Sequence, residues 1–210
     1  MLTIRTKHGI SMTKNFHCIW KGASLSMEHS TQNKTRQMAA CALFATLMAV
    51  CSQIQIPLPM VPINLALFGA YLAGAVLGPR LGALSVTVYA LMGAVGLPVF
   101  AGFAGGLGTL LGKTGGYILG YILTAFLVGL LTKIWGHSFK ALIPAMVLGC
   151  LVCYLFGTVW FMAVTRLGLW QSLIYCVFPF LPGDVVKILL AAAVVRRLQQ
   201  PLARMGWSWC

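Results

Sequence analysis

Pro182-Gly183-Asp184-Val185-Val186-Lys187-Ile188-Leu189-Leu190-Ala191-Ala192-Ala193-Val194-Val195 sets one acid and one base at the head of an otherwise apolar run. Asp184 is one of only two acidic residues in the 210-residue chain. With Pro182 and Gly183 opening a helix, the three-residue spacing puts Asp184 and Lys187 on one face. The apolar run that follows places the pair at or just inside a hydrocarbon boundary, where each bare charge costs about 2.5–3.5 kcal/mol. Asp184 supplies acceptors and Lys187 donors, so together they suit a compact neutral group with both N–H and C=O, such as a cyclic urea or an amide. The competing reading makes Asp184 a helix cap and Lys187 its intrahelical partner, together contributing about 1 kcal/mol to the helix.

The rest of the chain supports a membrane setting. Hydrophobic residues make up 60% and charged residues 8%, and mean hydropathy is +0.90. That composition excludes a soluble domain and leaves room for about six spans of ~20 residues. The fold expected is all-α and integral to the membrane. Its spans fall at about 38–56, 64–77, 81–95, 116–134, 141–164 and 185–195. The net charge of +13 does not indicate a nucleic-acid partner, because the cations flank apolar runs. Twelve of the fifteen Lys and Arg fall in the N-terminal tail, the loops near 80 and 133–140, and the C-terminus; Lys113, Arg166 and Lys187 are the others. The positive-inside rule then puts both termini in the cytoplasm.

Residues 1–36 read as a basic, largely unstructured tail, 37–198 as the six-helix membrane domain and 199–210 as a short C-terminal tail. Met27 and Met38 offer later starts, and initiation at Met27 would remove most of the tail. His17-Cys18 lacks companions for a metal site. The seven cysteines, an odd number, imply no disulfide framework. Cys150-Leu-Val-Cys153 has redox spacing, but it lies in an apolar run where small residues pack helices. No cofactor is expected.

Two further stretches carry information. Small residues Cys41, Ala42, Ala45, Thr46 and Ala49 recur along the first span and make a flat face for close packing, within the bundle or with a partner. Gln53 and Gln55 end that span as polar groups at depth, lining a cavity or reaching the interface. The second stretch, Gly96 to Tyr117, is dense in glycine yet keeps Val99, Phe100, Phe103 and Leu107. It reads as a packed, even re-entrant loop rather than a solvated linker. From Gly106, five residues precede Gly112-Lys113-Thr114, one too many for a phosphate loop, and no strand comes before it. By the topology above, this loop and the Pro-Gly-Asp stretch share the outer side and converge on one cavity.

Ala42-Leu-Phe-Ala45, Gly78-Pro-Arg-Leu-Gly82, Gly96-Leu-Pro-Val-Phe-Ala-Gly102, Gly112-Lys-Thr-Gly-Gly-Tyr117 and Pro182-Gly-Asp-Val-Val-Lys187, in that order, resemble the BioY family, the biotin-binding S components of energy-coupling-factor (ECF) transporters. The resemblance covers about 37–198 and leaves out the N-terminal tail. It implies uptake of biotin from the outer side by a multi-pass protein of the bacterial cytoplasmic membrane, with no enzymatic activity. It assigns biotin binding to Asp184 and Lys187, and it makes Lys113, Gly115, Gly116, Tyr117 and Phe100 further candidates. Lys113, with Arg166 as its rival, would meet the biotin carboxylate; many relatives have Pro at the position of Lys113. Ala45 and Ala49 would dock on a membrane coupling subunit, with separate ATPases supplying energy. The alternatives are an S component for another vitamin, a protein working alone on a gradient, a membrane-embedded enzyme or a structural subunit. An enzyme would want a second acid or base beside Asp184, and the spans hold none.

Overall fold

The computed structural model describes residues 34–57 and 61–204. The expected basic tail up to residue 33, Met27 and His17-Cys18 lie outside the described residues. Met1–Ala39 and Ala40–Cys210 are separate units; the described part of the first, residues 34–39, is exposed helix.

Helix α1 spans Lys34–Gln53. A two-residue antiparallel ribbon follows, β1 (Gln55–Ile56) with β2 (Ile63–Asn64), pairing Gln55 with Asn64 and Ile56 with Ile63. Then come α2 (Ala66–Ala94), a 3₁₀ turn at Ala101–Phe103, α3 (Leu107–Leu110), α4 (Gly115–Trp135), α5 (Phe139–Thr165), α6 (Leu169–Cys176) and α7 (Leu181–Arg204). Helices are what these runs must form in lipid, where no water is available to pair an open backbone. Helix α4 packs between α2 and α5, and α7 lies against α2 and α5. Thr124 Oγ1 donates to the Gly149 carbonyl at 2.9 Å, joining α4 to α5. Gly116 faces Trp160, and a Cβ there would overlap the indole side chain. Small residues at such crossings let backbones approach where the hydrophobic effect gives no drive to associate.

Four helices are long and apolar enough to cross a membrane: α1, α2, α4 and α5. The count is five if α6 and α7, bent by 50° at the break between them, form one span. Six were expected, and the difference lies in α2. At Gly78 the backbone leaves the helical region (φ 81°, ψ −178°), just before Pro79. Only glycine takes that conformation readily, and Pro79 removes a helical donor. The chain doubles back there: a Cβ on Gly82 would lie 2.7 Å from the Ala73 carbonyl oxygen. Residues nine apart in a continuous helix would be about 13 Å apart along the axis. Thus α2 is two arms, 66–77 and 79–94, folded back against each other. The first arm is buried throughout except at Phe68. At the other end of the sequence, α7 continues to Arg204, past position 199, where a tail was expected to begin.

The flat face expected on α1 is divided in two. Cys41, Ala45, Met48 and Ser52 turn inward, with Cys41 accepting from Ser85 Oγ at 2.8 Å through its carbonyl and Met48 packed on Gly69. Ala42, Leu43, Thr46 and Val50 face outward, and Ala49 lies between. Ala45 is 1% exposed, so its assignment to a docking face is corrected. Residues one helical turn apart share a face, and here the face holding Ala45 is taken up by α2.

Several cations lie at the end of the 40–204 helices away from Asp184. Arg80 follows the bend of α2, Lys133 lies in the last turn of α4, Lys140 opens α5, and Arg196 stacks 4.9 Å from the Phe139 ring centroid. His137, in the α4–α5 loop, makes a 3.1 Å hydrogen bond through Nε2 with the Ala75 carbonyl, and its own carbonyl accepts from Gln199 Nε2 at 3.1 Å. Burial lowers the His137 pKa from its ordinary 6.5, against an opposing effect of that bond.

Candidate functional site

Asp184 is in the first turn of α7, where its own N–H donates to the Phe180 carbonyl at 2.9 Å. Lys187 lies one turn on, and Lys187 Nζ donates to Asp184 Oδ1 at 2.8 Å. The second carboxylate oxygen, Oδ2, accepts from the Tyr154 hydroxyl and from the Cys150 thiol at 3.6 Å, both on α5. Asp184 and Lys187 are 3% and 7% exposed. This burial decides against a surface cap: a buried pair is stable only with good geometry and its remaining valences satisfied. The ammonium keeps donors beyond the one given to Asp184.

Both residues line a cavity of about 200 Å³. Its wall draws on Asn64 of β2, Leu67 and Tyr89 from the two arms of α2, Tyr117, Ile118 and Tyr121 from α4, and Cys153 and Tyr154 from α5. Asn64 Oδ1 accepts from the Ala66 N–H at 3.1 Å and from the Tyr121 hydroxyl at 3.5 Å, which holds the start of α2 against α4. The glycine-rich loop roofs the cavity with Phe100 and Ala101. Phe100 is 2% exposed and meets Tyr89 edge to face, centroids 5.6 Å apart. It can enter because residue 93 is glycine; any Cβ there would overlap the Phe100 ring. Thr109 of α3 and Thr114 also border the cavity. One end of the chamber therefore carries a donor and an acceptor, and the remainder is largely aromatic and aliphatic. A ligand with a small polar head and an apolar body fits that division.

Of the residues singled out by sequence, Asp184, Lys187, Tyr117 and Phe100 line this cavity. Lys113 is exposed and is not among the lining residues, although its neighbour Thr114 is. Arg166 is exposed at the left-handed end of α5. Gly115 and Gly116 are buried between the loop and α5: a Cβ on Gly115 would overlap the Leu110 carbonyl, and one on Gly116 would overlap Trp160. They permit close packing and do not line the chamber. Sequence reasoning missed Tyr154, Tyr121, Tyr89 and Asn64. The three tyrosines sit in apolar helical runs where an aromatic reads as core. Only their hydroxyls, each needing a partner at membrane depth, hinted at polar neighbours.

A family comparison matches residues 24–204 to the BioY family. The probable biotin transporter BioY of Pyrococcus horikoshii is 40% identical over 166 residues, covering 79% of this chain and 98% of that protein. The biotin transporter BioY of Thermotoga maritima is 38% identical over 165 residues, covering 79% and 96%. Among solved structures, the 2.1 Å crystal structure of the S component for biotin from an ECF-type ABC transporter matches with a TM-score of 0.74 at 32% identity, over 80% of this chain and 93% of that one. The family match contains every element that surrounds the cavity: the chain belongs to the BioY family.

Proposed function

We propose that this protein is the membrane-embedded substrate-binding component of a biotin transporter. It takes biotin from the outer side and delivers it toward the cytoplasm. The observation that carries this reading is the buried Asp184–Lys187 pair facing an enclosed, largely apolar chamber. The names of the relatives support the choice of ligand.

Biotin divides as the chamber does. Its ureido ring offers N–H donors and a carbonyl, which match the free valences of Asp184 and the remaining N–H groups of Lys187. Its thioether ring and alkyl chain suit the wall of Phe100, Tyr117, Tyr121 and Ile118. The Tyr154 hydroxyl holds the carboxylate in place, so the polar end is organised before the ligand arrives and little ordering is needed on binding. The acid end of biotin would then point toward the loop, where Lys113 is the candidate partner. Gly115 and Gly116 act at one remove by letting the loop and α5 close around the ligand.

In the membrane, the two arms of α2 count as separate spans and α6 with α7 as one, which gives six. The cation-rich end faces the cytoplasm and the chamber faces outward, in the bacterial cytoplasmic membrane. The likeness to an ECF S component supports energising by separate ATPases through a coupling subunit, the other route being a protein that works alone on a gradient. That subunit docks along the outward face of α1 formed by Ala42, Thr46 and Ala49. The test is uptake of labelled biotin by cells lacking their own transporter, with the purified chain assayed for binding in parallel. Binding that is lost in Asp184→Asn supports the reading; retention of full affinity in that variant refutes the site, and absence of binding by correctly folded wild type refutes the ligand.

A further inference from the structure

The roof over the chamber is tied to α1 by two consecutive side chains, Ser52 and Gln53, which the binding site itself does not use. Gln53 spends both ends of its amide on the loop. Its Nε2 donates to the Phe100 carbonyl at 3.0 Å and to the Pro98 carbonyl at 3.4 Å. Its Oε1 accepts from the Phe103 N–H at 3.0 Å. Ser52 Oγ shares its single proton between the Val99 carbonyl and the Ala49 carbonyl of its own helix, the latter at 2.8 Å. The turn they hold is also closed on itself, because the Phe100 N–H donates to the Ala104 carbonyl at 3.0 Å. The Gln53 amide thus behaves as an added peptide group bridging both ends of the 100–103 turn. Phe103 of that turn, and Leu97 and Leu107 on either side of it, are exposed.

We propose that Gln53, assisted by Ser52, is the positioning residue that keeps the roof shut, seats Phe100 over the ligand and thereby sets how long the ligand stays bound. The proposal rests on reading the chamber as the biotin site. Its chemistry is specific to an amide: a carboxylate would keep the acceptor for Phe103 and lose both donors, and an apolar side chain of equal length would lose all three bonds. Because these residues form the last turn of α1, any rotation or axial shift of that helix acts directly on Phe100. The Gln53 bonds lie at a half-buried position, where water can replace them once the turn lifts. A local opening of this kind needs no disruption of the helices beneath.

The test compares wild type with Gln53→Met, which keeps length and helical preference, and with Ser52→Ala. Amide hydrogen exchange of the 98–104 segment is measured in the ligand-free protein, and dissociation of labelled biotin is followed in a chase. In Gln53→Met, exchange in the segment is expected to accelerate about tenfold, as is release of biotin, given the modest net contribution of each bond. Association is not slowed, and exchange in α4 and α5 is unchanged. Ser52→Ala moves both readouts the same way to a smaller extent. A purely structural role would lower the melting temperature and the fraction of active protein without altering release. Unchanged exchange at 98–104 in Gln53→Met, or slower association with unchanged release, overturns the proposal. Failure of wild type to bind biotin would refute the ligand assignment, and the exchange measurement would still decide the role of Gln53.

Discussion

Breaking the Asp184–Lys187 pair one partner at a time should cost far more than removing both. Asp184→Asn leaves the Lys187 ammonium, 7% exposed, with no carboxylate among the described residues to neutralise it. Lys187→Met leaves the carboxylate with only the Tyr154 hydroxyl and the Cys150 thiol. An uncompensated buried charge costs about 3–5 kcal/mol, which for a chain of this length corresponds to about 6–20 °C in melting temperature. The double variant Asp184→Asn with Lys187→Met carries no charge. Its amide can still accept from Tyr154, so it should recover to within about 1–2 kcal/mol of wild type. Biotin binding should not recover, because the double variant lacks the Lys187 donors. The assay is a double-mutant cycle of melting temperatures in detergent by tryptophan fluorescence, with labelled-biotin binding on the same preparations. Single variants as stable as wild type, or a double variant losing the sum of the singles, would refute the claim that the two charges stabilise each other in the interior. Recovery of binding in the double variant would refute their role toward the ligand.

Gly116→Ala should lower the melting temperature by several degrees and reduce biotin binding, since its Cβ overlaps Trp160 and overpacking costs about 1–3 kcal/mol; thermal melts with binding on the same sample check both. The lowered pKa of His137 gives a pH dependence with a definite sign. The unfolded chain takes up a proton near 6.5, while the folded chain resists it until lower pH. The stabilisation is therefore present above about 6.5 and is lost as pH falls below it. Melting temperatures between pH 7.5 and 5.5 should fall more steeply for wild type than for His137→Gln, and parallel curves would contradict the burial argument.

The sequence made the helices legible because each is a long apolar run with few charges, and it made Asp184 and Lys187 legible because an acid and a base at membrane depth need a reason. Phe100 and Tyr117 came forward only through the resemblance, as members of the Gly96–Gly102 and Gly112–Tyr117 motifs. What stayed hidden depends on orientation about a helix axis. Ala42 and Ala45 have the same chemistry three residues apart, and nothing in either tells which one α2 will cover. Tyr154 in the fifth span looks like any core aromatic until α7 brings a carboxylate to its hydroxyl. The resemblance made Gly115 and Gly116 binding candidates, and in the fold their missing side chains make room for Leu110 and Trp160. Gln53 stood out as polar at depth, but its partners lie forty-five to fifty positions ahead, in a loop with no periodicity to place it.

The folded second helix has one more consequence, for the length of the path a ligand must take. Leu67, near the start of the first arm, borders the chamber, and Ala75, near its end, meets the His137 loop at the cation-rich end. Eight helical rises separate them, about 12 Å, against about 30 Å of hydrocarbon in an ordinary bilayer. The insulating septum between the bound molecule and the far side is thus less than half a membrane thick, and it is made of protein instead of lipid.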